Sequence, residues 1–223
     1  MYAVYTSIDA MSRLPRKPKP KDEADYHHGD LRKALIAAAL RAIERDGVGA
    51  PSLRALARSL GVSPRAPYRH FTTKEQLLAA VAVEGYRMSA SFMESRLAGA
   101  TDPMARLRTA VEAYVLFAAK HPAAFRVMYA PYATVEEDAP DLRLARAEGH
   151  GEMMRLIVGV QQSGAIRAGD PMLLALTLWS TMHGLAVLLV EGQLGRFDRP
   201  IDGAKLAKVV AGMVFEGLLP RGT

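Results

Sequence analysis

Six of seven consecutive positions carry the side chains best suited to chemistry: Pro64, Arg65, Ala66, Tyr68, Arg69 and His70. The set is basic and aromatic, with Arg65, Tyr68, Arg69 and His70 as its hydrogen-bond donors and no nucleophile and base paired among them. On the exposed side of one short helix, such a set suits phosphate oxygens and base edges rather than bond-breaking.

That helix needs a partner to aim it. Ser52–Lys74 reads SLRALARSLGVSPRAPYRHFTTK and holds two apolar runs, one through Leu53, Leu56, Ala57 and Leu60, the other centred on Tyr68 and Phe71. Gly61-Val62-Ser63 between them is short enough to force two helices, about 52–60 and 64–70, into the steep crossing of a helix-turn-helix. Ala57 is small at the crossing, Gly61 suits a positive φ at the turn and Val62 plugs the corner. Ser63 is a suitable N-cap, and Pro64 fits the first helical position.

Charge points to the same partner. Residues 1–71 carry 13 Lys and Arg against 7 Asp and Glu, whereas residues 72–223 hold 16 of each, so the whole net charge of +6 lies with this motif and the chain before it. Concentrated on a motif that needs phosphate contacts, the excess favours double-stranded DNA over a merely solvated basic face.

The remainder reads as all-α. Residues 1–26, with Arg13-Leu-Pro-Arg-Lys-Pro-Lys-Pro-Lys21, lack periodicity and read as a disordered basic arm, either reaching along DNA or an inert tail. Asp30 is a candidate cap for a first helix, about 30–46. Residues 27–75 form the helix-turn-helix domain. Thr72-Thr-Lys-Glu75 and Thr73-Lys-Glu-Gln76 both read as capping boxes for a helix over about 73–97, with Leu77, Leu78, Val81, Gly85, Met88 and Phe92 on one stripe.

Residues 76–223 form a second helical domain, for nine helices in all. Its further helices are expected at about 103–120, 122–129, 141–163, 171–191 and 203–218, with an acidic, proline-containing loop at 131–140. Leu173–Val190 is almost uncharged, so it is the core helix of this domain, a dimer seam, or both. With the helix over 203–218 and its symmetry mates it would complete a four-helix bundle in a homodimer. No apolar run is expected to reach the ~18 residues of a membrane span. The first residues lack a signal-peptide pattern, which predicts a cytoplasmic protein.

The span from about Leu31 to Leu78 resembles the DNA-binding domain of tetracycline-repressor-type transcriptional regulators. Leu56-Ala57, Leu60-Gly61-Val62-Ser63, Tyr68-Arg69-His70-Phe71 and Thr73-Lys74-Glu75-Gln76-Leu77-Leu78 carry the resemblance. Trp179-Ser-Thr-Met-His183-Gly184 is similar to the Trp…His-Gly signature of one subgroup's C-terminal domain. The resemblance implies a homodimeric repressor on a near-palindromic operator, released by a small molecule. It puts Ser52 beside the DNA backbone, Arg54, Arg65 and Ala66 at base readers, and Tyr68, His70 and Lys74 at phosphate contacts. Pro67 departs from the family pattern, which has a larger aliphatic there, and predicts a 3₁₀-like first turn.

Other chemistry is thinly represented. There is no cysteine, which excludes disulfides, zinc–thiolate sites and thiol nucleophiles. His27, His28, His121 and His150 lie in no metal-ligand spacing, and neither a metal nor a cofactor is expected. Gly149-His-Gly151 lies within a helix rather than after a strand, unlike a phosphate loop. Phe92, Tyr114, Phe117, Phe125, Tyr129, Met153, Met154, Met182 and His183 fit the core singly; together they would wall an adaptable site for a largely apolar ligand. His183 reads as a core or interface histidine or as the polar anchor of such a site, with Trp179 one turn away on the same face. A constitutive DNA-binding or architectural protein is the alternative; an enzyme lacks any nameable catalytic pair.

Overall fold

Eight α-helices and two short 3₁₀ segments make up the regular structure of the computed structural model, which describes residues 23–130, 139–196 and 201–218. No strand occurs among them. The helices are α1 (Glu23–Asp46), α2 (Leu53–Ser59), α3 (Lys74–Leu97), α4 (Pro103–Lys120), α5 (Pro122–Met128), α6 (Pro140–Gln162), α7 (Pro171–Val190) and α8 (Gly203–Leu218). The 3₁₀ segments span Ala66–Arg69 and Gln193–Arg196. The all-α expectation holds, and the ninth helix, the one carrying the basic set, is 3₁₀ rather than α.

Local chemistry explains most boundaries. Asp102 accepts from the Ala105 amide at 2.7 Å ahead of Pro103, and Asp170 accepts from the Met172 amide at 2.8 Å ahead of Pro171. Both are N-caps followed by a proline that gives up no helical hydrogen bond. Asp202 accepts from the Ala204 and Lys205 amides and starts α8 in the same way. At α3, Thr73 is the cap, its Oγ1 accepting from the Gln76 amide at 3.2 Å, while Gln76 reaches back to the Thr72 amide at 2.9 Å.

Three expectations are corrected. α1 starts at Glu23, not at an Asp30 cap, so residues 23–26 are helical and only 1–22 of the expected arm lie outside the described residues. Secondly, Ser63 caps no helix: the segment begins after Arg65, with no side-chain cap. Thirdly, α7 is long and apolar enough to cross a membrane by length and composition. One of its faces is nevertheless core, with Leu174, Leu178, Met182, Leu185 and Ala186 buried against other helices. The acidic loop expected at 131–140 lies, through residue 138, outside the described residues.

Two main cores form. Leu35, Ala39 and Ile43 of α1 meet Leu56 of α2, Phe71 and Leu77, Leu78 and Val81 of α3. Leu107 and Val111 of α4 meet Ile157 and Val160 of α6, Leu178 and Met182 of α7 and Phe215 of α8. α4, not the more apolar α7, is the central helix, in contact with α3, α5, α6, α7 and α8. α3 joins the cores. Its Gly85 lies so close to α5 that an added Cβ would stand 2.8 Å from Met128 Cγ. The absent side chain sets that approach.

Candidate functional site

The helix-turn-helix is built as its composition requires. Ser52 caps α2, its Oγ accepting from the Ala55 amide at 3.2 Å, which leaves its hydroxyl proton free to donate. Leu53, Leu56 and Ala57 are buried, so Arg54 and Arg58 point outward. The exit from α2 is a Schellman turn. The Val62 amide donates to the Ala57 carbonyl at 3.0 Å and the Gly61 amide to the Arg58 carbonyl at 3.2 Å, with Gly61 at φ 67°.

Pro67 decides the geometry of the next segment. It has no N–H for the α-type bond to Ser63, and the Ser63 carbonyl instead accepts from the Ala66 amide at 3.0 Å. Further three-residue bonds follow, Tyr68 to Arg65 and His70 to Pro67, before Phe71 closes a four-residue bond to Pro67. The 3₁₀ character expected for the first turn extends through the whole segment. Pro67 is its one buried residue; Arg65, Tyr68 and Arg69 are exposed, and Ala66 and His70 are half-buried.

No acidic residue occurs between Asp46 and Glu75, so cations dominate the field over this surface. Lys74 also braces the fold. Its Nζ donates to the Gly49 carbonyl at 2.5 Å, tying the first turn of α3 to the loop before α2. Two of its protons remain for a phosphate. Arg32 is a candidate the sequence reading missed. It is exposed on α1 with its Cζ 5.4 Å from the Phe71 ring centre, beside the end of the 3₁₀ segment. Its position opposite the apolar stripe of α1 was the available signal.

The residues expected to wall a ligand site fall in three places. Tyr114, Phe125, Tyr129 and His183 come together from α4, α5 and α7, joined by Trp179. Ring centres stand 4.6 Å apart for Tyr129–His183, 5.5 Å for Phe125–His183 and 5.2 Å for Trp179–His183. The Tyr114 hydroxyl is hydrogen-bonded to His183 Nδ1 at 2.8 Å. Burial pushes the Tyr129 hydroxyl up to about 12 and raises Tyr114 as well, while the nearby Trp179 works in the opposite direction on both. Burial lowers His183, holding the imidazole neutral. The result is a polar knot of neutral groups inside an aromatic shell, able to orient a ligand by hydrogen bonds.

Phe92 and Phe117 pack elsewhere at a tilt, ring centres 6.0 Å apart, beside His121. Met153 and Met182 belong to the core between α4, α6, α7 and α8, and Met154 is half-buried on α6. Open clefts of about 530 and 490 Å³ flank Phe92. Among the described residues, none of the Tyr114–His183 group lines either cleft.

Comparison with known proteins follows the same two-part division. Residues 35–81 match the family described as bacterial regulatory proteins, tetR family, and residues 107–212 match the tetracyclin repressor-like C-terminal domain. The chain is 49% identical over 49 residues to the HTH-type transcriptional regulator BetI of Rhizobium meliloti, covering 22% of this chain and 24% of that protein. It is 46% identical over 55 residues to the HTH-type nicotine-responsive transcriptional repressor HdnoR of Paenarthrobacter nicotinovorans, covering 25% and 28%. The chain thus matches only about a quarter of the length of these relatives. A solved structure of a protein of unknown function from Rhodococcus sp. RHA1 superposes with a TM-score of 0.74 at 32% identity, covering 89% of this chain and 100% of that one. An acid-free helix-turn-helix joined by one long helix to an all-α domain, with both parts matched, places the chain in the tetR family of bacterial transcriptional regulators.

Proposed function

We propose that this regulator is a cytoplasmic homodimeric repressor, binding a near-palindromic operator and released from it by a small, largely apolar ligand. The observation that carries the reading is the exposed, acid-free surface formed by Arg54, Arg65, Tyr68 and Arg69, held by Lys74 to the start of α3. Ser52, Arg54, Arg65 and Ala66 face the backbone and base edges; Tyr68, Arg69, His70 and Lys74 anchor phosphates.

α3 rises about 36 Å over its 24 residues. It runs from this surface into the second domain, where Tyr114, Phe125, Tyr129 and His183 offer aromatic walls and a polar anchor. A ligand that prefers a tilted α3 would move two recognition segments out of register with grooves about 34 Å apart. Release requires tighter ligand binding to the DNA-incompetent state. That HdnoR is a nicotine-responsive repressor supports ligand control on this fold.

Footprinting on the DNA flanking the protein's own gene, followed by gel shifts across a compound library, tests the proposal. A protected inverted repeat that one compound class releases is expected. A footprint insensitive to every compound would favour a constitutive DNA-binding protein, and an unprotected flank would remove the operator claim.

A further inference from the structure

The 530 Å³ cleft beside Phe92 has a chemistry of its own. Its walls come from α3, α4, the start of α5, the end of α7 and the start of α8, and they are apolar through Phe92, Leu116, Pro122, Leu189 and Val190. Two cations stand at one of these walls. Arg96 Cζ lies 5.2 Å and Lys120 Nζ 5.7 Å from the centre of the same Phe92 ring. Both residues line the cleft, and no carboxylate does so among the described residues. The nearby Asp202 carboxylate is already committed to the first amides of α8.

Each cation lies in the last turn of its helix, where a positive charge is favoured by the helix dipole. The dipole explains each one singly. It does not explain why two helices bring both to one aromatic ring over an apolar floor. Both cations are exposed, and an anion beside the Phe92 ring would be attracted to each of them. A head of negative charge with an apolar chain matches both parts of the cleft at once.

We infer that this cleft binds an amphipathic anion, its carboxylate or phosphate between Arg96 and Lys120 and its hydrocarbon chain along Phe92, Leu116 and Leu189. The site is separate from the Tyr114–His183 cluster, and the inference does not depend on operator binding or on ligand release.

The test is calorimetric titration of the full chain with four probes sharing a ten-carbon chain: decanoate, decyl phosphate, decanol and decyltrimethylammonium. At least one anionic probe should bind saturably, one per chain, and at least tenfold more tightly than decanol or the cation. The ratio of decanoate to decyl phosphate affinity separates a free acid from a phosphorylated ligand. Arg96→Ala and Lys120→Ala should each weaken the anion at least fivefold, and the Arg96→Glu, Lys120→Glu double variant should reverse the preference toward decyltrimethylammonium. Arg155→Ala, at an exposed position of α6, should leave affinity unchanged. Thermal melts verify folding, and Arg96→Lys should restore most of the affinity should Arg96→Ala prove unstable. Equal binding of decanol and decanoate, indifference to both charge removals, or no binding of either anion would overturn the proposal.

Discussion

At the level of single residues, Arg54 and Lys74 are expected to behave differently because they are held differently. Arg54 extends from α2 with no partner at its guanidinium among the hydrogen bonds and ion pairs described, so its removal should affect DNA alone. Arg54→Ala is expected to cost about 1–3 kcal/mol of operator affinity and to relax sequence preference. Fluorescence anisotropy on the operator and on a shuffled duplex checks this, and retention of full selectivity would remove Arg54 from the base readers. Lys74→Ala loses the bond to Gly49 as well. It should weaken all duplexes alike, flatten the salt dependence and lower stability by about 0.5–1.5 kcal/mol.

His183 provides a pH test at the same scale. Burial lowers its pKa below the ordinary 6.5, so the folded chain keeps it neutral where the unfolded chain takes up a proton. The unfolded state then binds more protons, and stability falls as pH drops through about 6.5, until the folded imidazole also titrates. His121 is lowered by burial, then by Lys120, with Glu44 opposing, and adds a contribution of the same sign. Melting curves between pH 8 and pH 5 should show the decline, and His183→Gln should remove part of it. An unchanged slope in that variant would show that burial does not hold the His183 ring neutral.

Among the elements, α3 matters most because it belongs to both cores, and Gly85 sets how closely it meets α5. Gly85→Val places branched carbons where Met128 Cγ would already be 2.8 Å from a Cβ. A loss of about 1–3 kcal/mol in urea unfolding is expected. Gly149→Ala, with nothing within 4 Å of its added Cβ, should gain up to about 1 kcal/mol. Much at this scale was legible in the sequence. α4 begins at Pro103 and ends at Lys120, and α8 begins after Asp202, as expected, because caps and prolines act over a few neighbouring residues. The 3₁₀ segment was legible only in part. Pro67 signalled an irregular start, but whether an α-helix would recover after it depended on the surroundings that bury Pro67.

For the whole molecule, the decisive feature is an apolar face that one chain leaves open. Met172, Leu173, Leu176, Trp179 and Leu188 on α7, with Val209 and Met213 on α8, are all exposed, Met213 to 66%. So many large apolar side chains exposed on two neighbouring helices are expected to be covered by a partner. The double variant Leu176→Arg, Met213→Glu should convert a dimer to a monomer in light scattering with helicity unchanged, and it should abolish tight binding to a palindromic operator. A wild-type monomer at micromolar concentration would contradict the pairing of α7 and α8.

By itself the sequence determined the all-α class, most helix limits, the family and the basic surface. Each rests on local chemistry or on a pattern repeated within a few turns. The tertiary structure alone decided which aromatic residues meet, since the Tyr114–His183 bond joins positions 69 apart and no periodicity reports such a contact. It also placed α4 rather than α7 at the centre, because hydrophobicity says that a face must be covered and not which neighbour covers it. Arg96 and Lys120 share a ring for the same reason: two helix ends converge only once their helices have packed.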